Sequence, residues 1–236
     1  MYNHWMIVSP TFAQKKALLS TALWLSKFVS PVRTLIVKKS TNTDDFEAGE
    51  ICMNFVLKNL FKKRFLFLSK KHSFTGGAVQ MIKKRFPELP LKLLLLDVHF
   101  DVFNAQKGTP GEKKDSEIHE GNFLAHLLKH NILKEKEIFL ISTNSSLDLE
   151  LPPGYYYLSW DIDYGLSRFA RYPFPKNQSF KKTELYLKIL FRELLKRDKM
   201  VIAMDIVELD YRKVAVPLQV ACLISHFVNY LFFSCR

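Results

Sequence analysis

Short apolar runs that end abruptly in polar clusters dominate this chain. Residues 33–38, 64–69, 91–96, 137–142, 155–160 and 200–204 are each rich in Leu, Ile, Val and aromatic side chains. Runs of this length, apolar on both faces, predict strands buried between helices in a parallel sheet. Helical spacing fills the intervals between them. Residues 74–85 follow the second run, 116–130 place Ile118, Phe123, Leu124, Leu127 and Leu128 on one side, and 183–196 alternate Leu, Ile and Phe with Lys, Arg and Glu. A last apolar helix is expected over 217–233. Alternating strand and helix predict a single α/β domain spanning 1–236, with three αβα layers and a mainly parallel sheet. The segment up to about residue 50 is less regular and is expected to add an edge strand and a helix. Stretches 108–114 and 172–182, with their Pro, Gly, Asn and Lys content, are expected to be loops.

Composition narrows the setting. Hydrophobic residues make up 48% and charged residues 25% of 236, enough apolar material for a real core. The three cysteines, Cys52, Cys222 and Cys235, are far apart and odd in number. They exclude a disulfide framework and a cysteine zinc site, and fit the reducing cytoplasm. Residues 1–10 lack the basic start and apolar stretch of a signal peptide. The charge-free segment 214–235 is broken by Pro217, and Gln219, His226 and Asn229 recur near helical spacing, so it reads as a buried helix and no membrane association is expected. The net charge of +12 fits a lysine-rich surface or a negatively charged partner, nucleic acid or acidic peptide. No nucleic-acid-binding motif accompanies it.

The chemistry collects where the predicted strands end, which is where open parallel sheets bind ligands. The run 91–96 leads into Asp97-Val98-His99-Phe100-Asp101, and 155–160 into Asp161-Ile162-Asp163. The run 64–69 precedes Lys70-Lys71-His72, and 200–204 precedes Asp205-Ile206-Val207-Glu208. Extended backbone points alternate residues the same way, so Asp97, His99 and Asp101 share one side, as do Asp161 and Asp163. With His72 they supply four carboxylates and two imidazoles, a set suited to hard or borderline divalent cations, Mn²⁺ before Zn²⁺ or Fe²⁺. Crowded carboxylates repel unless cations neutralise them, and six ligands exceed the need of one tetrahedral ion. Two ions sharing bridging carboxylates are expected. Each residue also has a plainer reading. His72 after two lysines is by itself more often a surface residue, Asp161 and Asp163 could mark a turn, and Glu208 could be an ordinary solvated acid.

Taken in order, these motifs resemble the arginase and agmatinase superfamily, the ureohydrolases, over roughly residues 64–233. That family carries a His, then Asp-x-His-x-Asp, then Asp-x-Asp, then Asp-x-x-Glu, which here correspond to His72, to Asp97, His99 and Asp101, to Asp161 and Asp163, and to Asp205 and Glu208. The resemblance implies an arginase-like fold and two Mn²⁺ per chain. One ion would be held by His72, Asp97, Asp101 and Asp161, and the other by Asp97, His99, Asp161 and Asp163. It also implies metal-activated water as nucleophile, oriented by Asp101, and Glu208 paired with a guanidinium group. The proton donor falls on His119 or His126, because Leu124 stands where arginases carry their histidine.

Departures from the free-arginine enzymes are informative. Ser69-Lys70-Lys71-His72-Ser73 stands for Gly-Gly-Asp-His-Ser, and Tyr164-Gly165-Leu166-Ser167-Arg168 for Asp-Gly-Leu-Asp-Pro. Phe103 replaces an Asn that helps hold the substrate's amino-acid end, and no Arg-Asp-x-Asp stretch occurs in 140–149. The segments Asp97-Val98-His99-Phe100-Asp101, Glu120-Gly121-Asn122-Phe123-Leu124 and Asp161-Ile162-Asp163-Tyr164 look similar to the peptide arginases, which turn arginine into ornithine within ribosomally made peptides. An arginine-containing precursor peptide with an acidic leader is then the expected partner. The rival readings are a small-molecule ureohydrolase, a one-zinc deacetylase of the related fold, and a basic binding module with a relict site.

Overall fold

The computed structural model describes residues 4–13, 33–37, 43–97, 118, 122–141, 150–161, 180–196 and 198–207. Seven strands form one parallel sheet: β1 (His4–Val8), β2 (Arg33–Ile36), β3 (Arg64–Leu68), β4 (Leu91–Leu96), β5 (Ile138–Ile141), β6 (Gly154–Asp161) and β7 (Lys199–Val207). Their order across the sheet is β2-β1-β3-β7-β6-β4-β5. Among the described residues, five helices accompany them: α1 (Pro10–Ala13), α2 (Asp45–Val56), α3 (Ser73–Arg85), α4 (Phe123–Lys129) and α5 (Phe180–Leu194). This is the three-layer α/β arrangement that the alternating pattern predicts.

The core follows from the strands' double-sided apolarity. On one face, Phe65, Phe67, Leu91, Leu93, Leu95 and Tyr157 pack with Cys52, Met53 and Val56 of α2, Phe74, Ala78 and Ile82 of α3, and Phe123 and Leu127 of α4. Leu187, Leu190, Phe191 and Leu194 of α5 are buried outside that cluster, as are Leu94, Leu158 and Met204 from the alternate strand positions. Helix α2 starts at Asp44, whose side chain accepts from the Glu47 amide at 2.7 Å, and carries Asp45 and Glu47 in its first turn. Helix α3 ends on Lys83, Lys84 and Arg85, the charge that its carbonyl end favours.

Helices α2 and α3 cross at paired glycines. A Cβ on Gly49 would run into the Phe74 carbonyl oxygen, and one on Gly77 into the Phe46 carbonyl oxygen. Both obstacles are backbone, so only glycine permits this approach. The crossing fixes where α3 begins, and with it His72.

Several elements differ from expectation. The strand over 4–8 was not anticipated, and it is no edge: β1 pairs with β2 on one side and β3 on the other, leaving β2 outermost. Ile118 is not helical, and α4 starts only after Asn122. Helix α5 begins at Phe180, inside the stretch expected to be loop. Strand β7 runs on to Val207, so Asp205 lies within the strand and not on the rim beyond it. Strand β7 also carries one extra residue against β6: Tyr156 pairs with Val201, but Tyr157 pairs with Ala203, leaving Ile202 as a bulge. The expected helix over 217–233 and the loop over 108–114 lie outside the described residues. Among those described, no helix is long and apolar enough to cross a membrane.

Candidate metal centre

Strand register brings the site together. Parallel strands β4 and β6 pair Leu96 with Trp160, so the next residues, Asp97 and Asp161, stand side by side at the carboxyl edge. Counting back by two from Asp161 gives Ser159 and Tyr157 on the same face. On β7, Asp205 pairs with Ser159 and therefore faces the same way. His72 reaches this face from above. It occupies the last position before α3, in helical conformation, and its carbonyl accepts from the Thr75 amide at 3.0 Å.

His72, Asp97 and Asp161 are buried, with 1%, 2% and 2% of their surface exposed. Nδ1 of His72 lies 3.3 Å from Asp97 Oδ2 and 3.9 Å from Asp161 Oδ2. One ligand atom from each residue falls within 4.8 Å of the other two, and among the described residues this is the group that could hold a metal ion. The donor set fits the implied cation. One ring nitrogen and two carboxylates suit a borderline or hard divalent ion, and two acids desolvated side by side need positive charge between them.

The ring is also held from behind. Its Nε2 lies 3.1 Å from Ser159 Oγ, and Phe123 packs against it with centroids 5.0 Å apart. Ser159 is 2.9 Å from Thr75 Oγ1, and both Thr75 and the Tyr157 hydroxyl donate to Asp205 Oδ2 at 2.8 Å. Burial pushes the Asp205 carboxyl above its usual range, while the hydroxyls of Ser159, Tyr157 and Thr75 pull it back down. Burial and the neighbouring Asp205 charge keep the Tyr157 phenol protonated well beyond the ordinary range.

The structure thus unites three of the expected ligands, His72, Asp97 and Asp161. His99, Asp101, Asp163, Glu208 and His119 lie outside the described residues. His126 lies on α4 with Nε2 3.0 Å from Gln80 Oε1, and Gln80 in turn donates to Glu50. Its ring stands edge-on to Phe46 and 4.5 Å from His130. Burial, then the His130 charge, lowers its basicity. Sequence reasoning missed Tyr157, Ser159 and Thr75, and misplaced Asp205. The signal for two of them was present, since Tyr157, Ser159 and Asp161 continue the same period of two.

No family model and no curated protein sequence matches this chain. Solved structures do. Proclavaminate amidino hydrolase from Streptomyces clavuligerus superposes with a TM-score of 0.67 at 12% identity, covering 100% of this chain and 93% of that one. The fold is that of the ureohydrolases. Arginase from Bacillus subtilis matches with a TM-score of 0.66 at 14% identity, covering 98% of each chain. Agmatine ureohydrolase of Thermoplasma volcanium gives 0.61 at 13%, over 99% of this chain and 90% of that one. At such identities the shared feature is the ureohydrolase fold itself. The carboxyl-edge cluster is read from this chain's own geometry.

Proposed function

We propose that this protein is a metal-dependent guanidino hydrolase that converts peptidyl arginine to peptidyl ornithine and urea. The observation that carries the hydrolase reading is the buried triad of His72, Asp97 and Asp161 at the carboxyl edge of a ureohydrolase-fold sheet. Residues His99, Asp101 and Asp163 complete a six-ligand set for two ions, in this reading manganese. When bound, the metal supplies Lewis acidity and water activation near neutral pH.

The protein's part is positioning. His72 and the carboxylates of Asp97 and Asp161 hold fixed places because each sits at the end of a rigid element. Asp101 orients the attacking water by accepting its hydrogen bond. Glu208 holds the planar guanidinium, whose paired N–H groups match a carboxylate. Water adds to the guanidinium carbon, the C–N bond to the side chain breaks, and a proton from His119 or His126 goes to the departing amine. The products are ornithine within the peptide and urea.

Three sequence observations favour a peptide over free arginine or agmatine. Phe103 stands where a free amino acid would be held, the Arg-Asp-x-Asp stretch is missing from 140–149, and the chain's +12 charge suits an acidic leader. Incubating the Mn²⁺-loaded protein with its genomic neighbour peptide should remove the mass of CH₂N₂ per converted arginine and release equal urea. Urea from free arginine or agmatine without any peptide mass change would replace the peptide substrate with a small molecule. One zinc per chain and deacetylation would place the chain with the deacetylases. Tight binding of nucleic acid or peptide with no turnover at all would leave a relict site.

A further inference from the structure

A chain of buried hydroxyls runs behind His72, and its direction is set at the far end. Asp205 Oδ2 accepts from Tyr157 and from Thr75, each at 2.8 Å. A threonine hydroxyl has one proton, and Thr75 commits it to Asp205. Toward Ser159, 2.9 Å away, Thr75 can then only accept. Ser159 spends its own proton on the Thr75 and Asp205 side and turns a lone pair toward His72 Nε2 at 3.1 Å. Nε2 must therefore be the ring nitrogen that carries the proton in the neutral imidazole. Nδ1 is left with its lone pair, and that lone pair faces Asp97 and Asp161 at 3.3 and 3.9 Å. A lone pair aimed at two carboxylate oxygens is repulsive, and a cation between them makes it a ligand.

The direction holds wherever Asp205 Oδ2 is the accepting oxygen, as in the carboxylate that takes the Tyr157 and Thr75 protons. All four members are buried: Tyr157, Ser159, Thr75 and Asp205 each have 0% exposure, so water does not compete for these bonds.

We infer that Asp205 is a positioning residue of the metal centre: through Thr75 and Ser159 it fixes His72 with its proton on Nε2 and offers Nδ1 to the cation. This rests on reading His72, Asp97 and Asp161 as metal ligands. It adds a group that touches neither metal nor substrate and acts only through the imidazole, as partners behind metal-bound histidines do.

The test is the Mn²⁺ dissociation constant, read from the electron paramagnetic resonance of free Mn²⁺, for the full chain and two variants at Thr75. Thr75→Val keeps the volume and removes the hydroxyl; Thr75→Ser keeps the hydroxyl and loses a methyl. Thr75→Val should weaken Mn²⁺ binding about 10- to 100-fold, and Thr75→Ser should stay within a few-fold of wild type. A mere packing role predicts the reverse order, and either that result or equal affinity in all three overturns the positioning role alone. No Mn²⁺ binding by the wild-type chain overturns the metal reading and this one with it. A measurement without variants covers the case in which Thr75→Val does not fold. In the Mg²⁺-loaded wild-type protein, ¹⁵N spectra of the His72 ring should show the proton on Nε2. A proton on Nδ1, with Nε2 bearing the metal, overturns the inference.

Discussion

The carboxyl edge of the sheet has two halves, and both contain acids near hydroxyls, half-buried in one and buried in the other. At the β1–β3 half, Asp45 accepts from Thr11 at 2.5 Å and from Ser69 at 3.4 Å, while Ser9 bridges to both hydroxyls. Burial raises the Asp45 carboxyl, and Thr11, Lys70, Ser69 and Lys71 all work against that rise. At the β4–β6 half, Asp97 and Asp161 stand beside an imidazole whose proton points away from them. One half has a single acid and several donors turned toward it. The other has two acids and a lone pair turned toward one point. An acidic cluster therefore becomes a cation site through the direction of its donors, not through its count of acids. The first half closes a helix start; the second, in the proposed reading, takes a divalent cation.

The contrast can be broken at its strongest point first. Asp161→Asn should abolish the rise in melting temperature that Mn²⁺ gives the wild-type chain, a rise worth about 4 kcal/mol at a thousandfold excess over the dissociation constant. Calorimetry with and without Mn²⁺ reads it, and an unchanged rise would remove Asp161 from the site. Gly77→Ala drives a methyl into the Phe46 backbone and should cost about 3 kcal/mol in urea unfolding. Because α3 carries His72 at its start, the same variant should also weaken Mn²⁺ binding. Asp45→Asn should cost only about 1 kcal/mol and leave Mn²⁺ affinity at the wild-type value. A loss of affinity there would mean that the two halves are one site.

The smallest effect concerns pH. His126 is held below its usual value of 6.5 by burial and His130, so the unfolded chain binds its proton more readily. Its contribution to stability is intact above pH 6.5 and falls away as the pH drops through the window just below. His126→Gln should make the decline in melting temperature between pH 7 and pH 5 shallower. It should also leave Mn²⁺ affinity unchanged, since the His126 ring nitrogen engages Gln80.

Much of this was legible from the residues. Alternation alone placed Asp97 and Asp161 at strand ends, and the order of short apolar runs gave the parallel sheet. His72 was harder, because its two preceding lysines suggest an exposed turn, yet it is 1% exposed. What hides it is tertiary: Phe123 and Ser159 come from elements 51 and 87 residues further on. Strand β1 escaped because His4 and Trp5 at its start and Pro10 just after it make a five-residue run look like a tail. Interior pairing on both sides overrides that local impression. Asp205 was read as a rim acid because the apolar run before it looks complete at Met204. Its burial depends on three hydroxyl partners from two other elements, and no local pattern announces them.

The extra residue in β7 carries a consequence of parity. Side chains of a strand alternate between the two faces, so one surplus residue exchanges the destinations of everything after it unless a bulge takes it up. With Ile202 kept in regular register and not bulged out, β7 would set Met204 opposite Ser159 and Asp205 opposite Trp160, on the other face. A thioether would then lie behind the imidazole, and an acid would be stranded among leucines. The bulge thus lets β7 carry one residue more than β6 and still present Asp205 on the face of His72, and a one-residue length change at this point can be absorbed without reversing the strand.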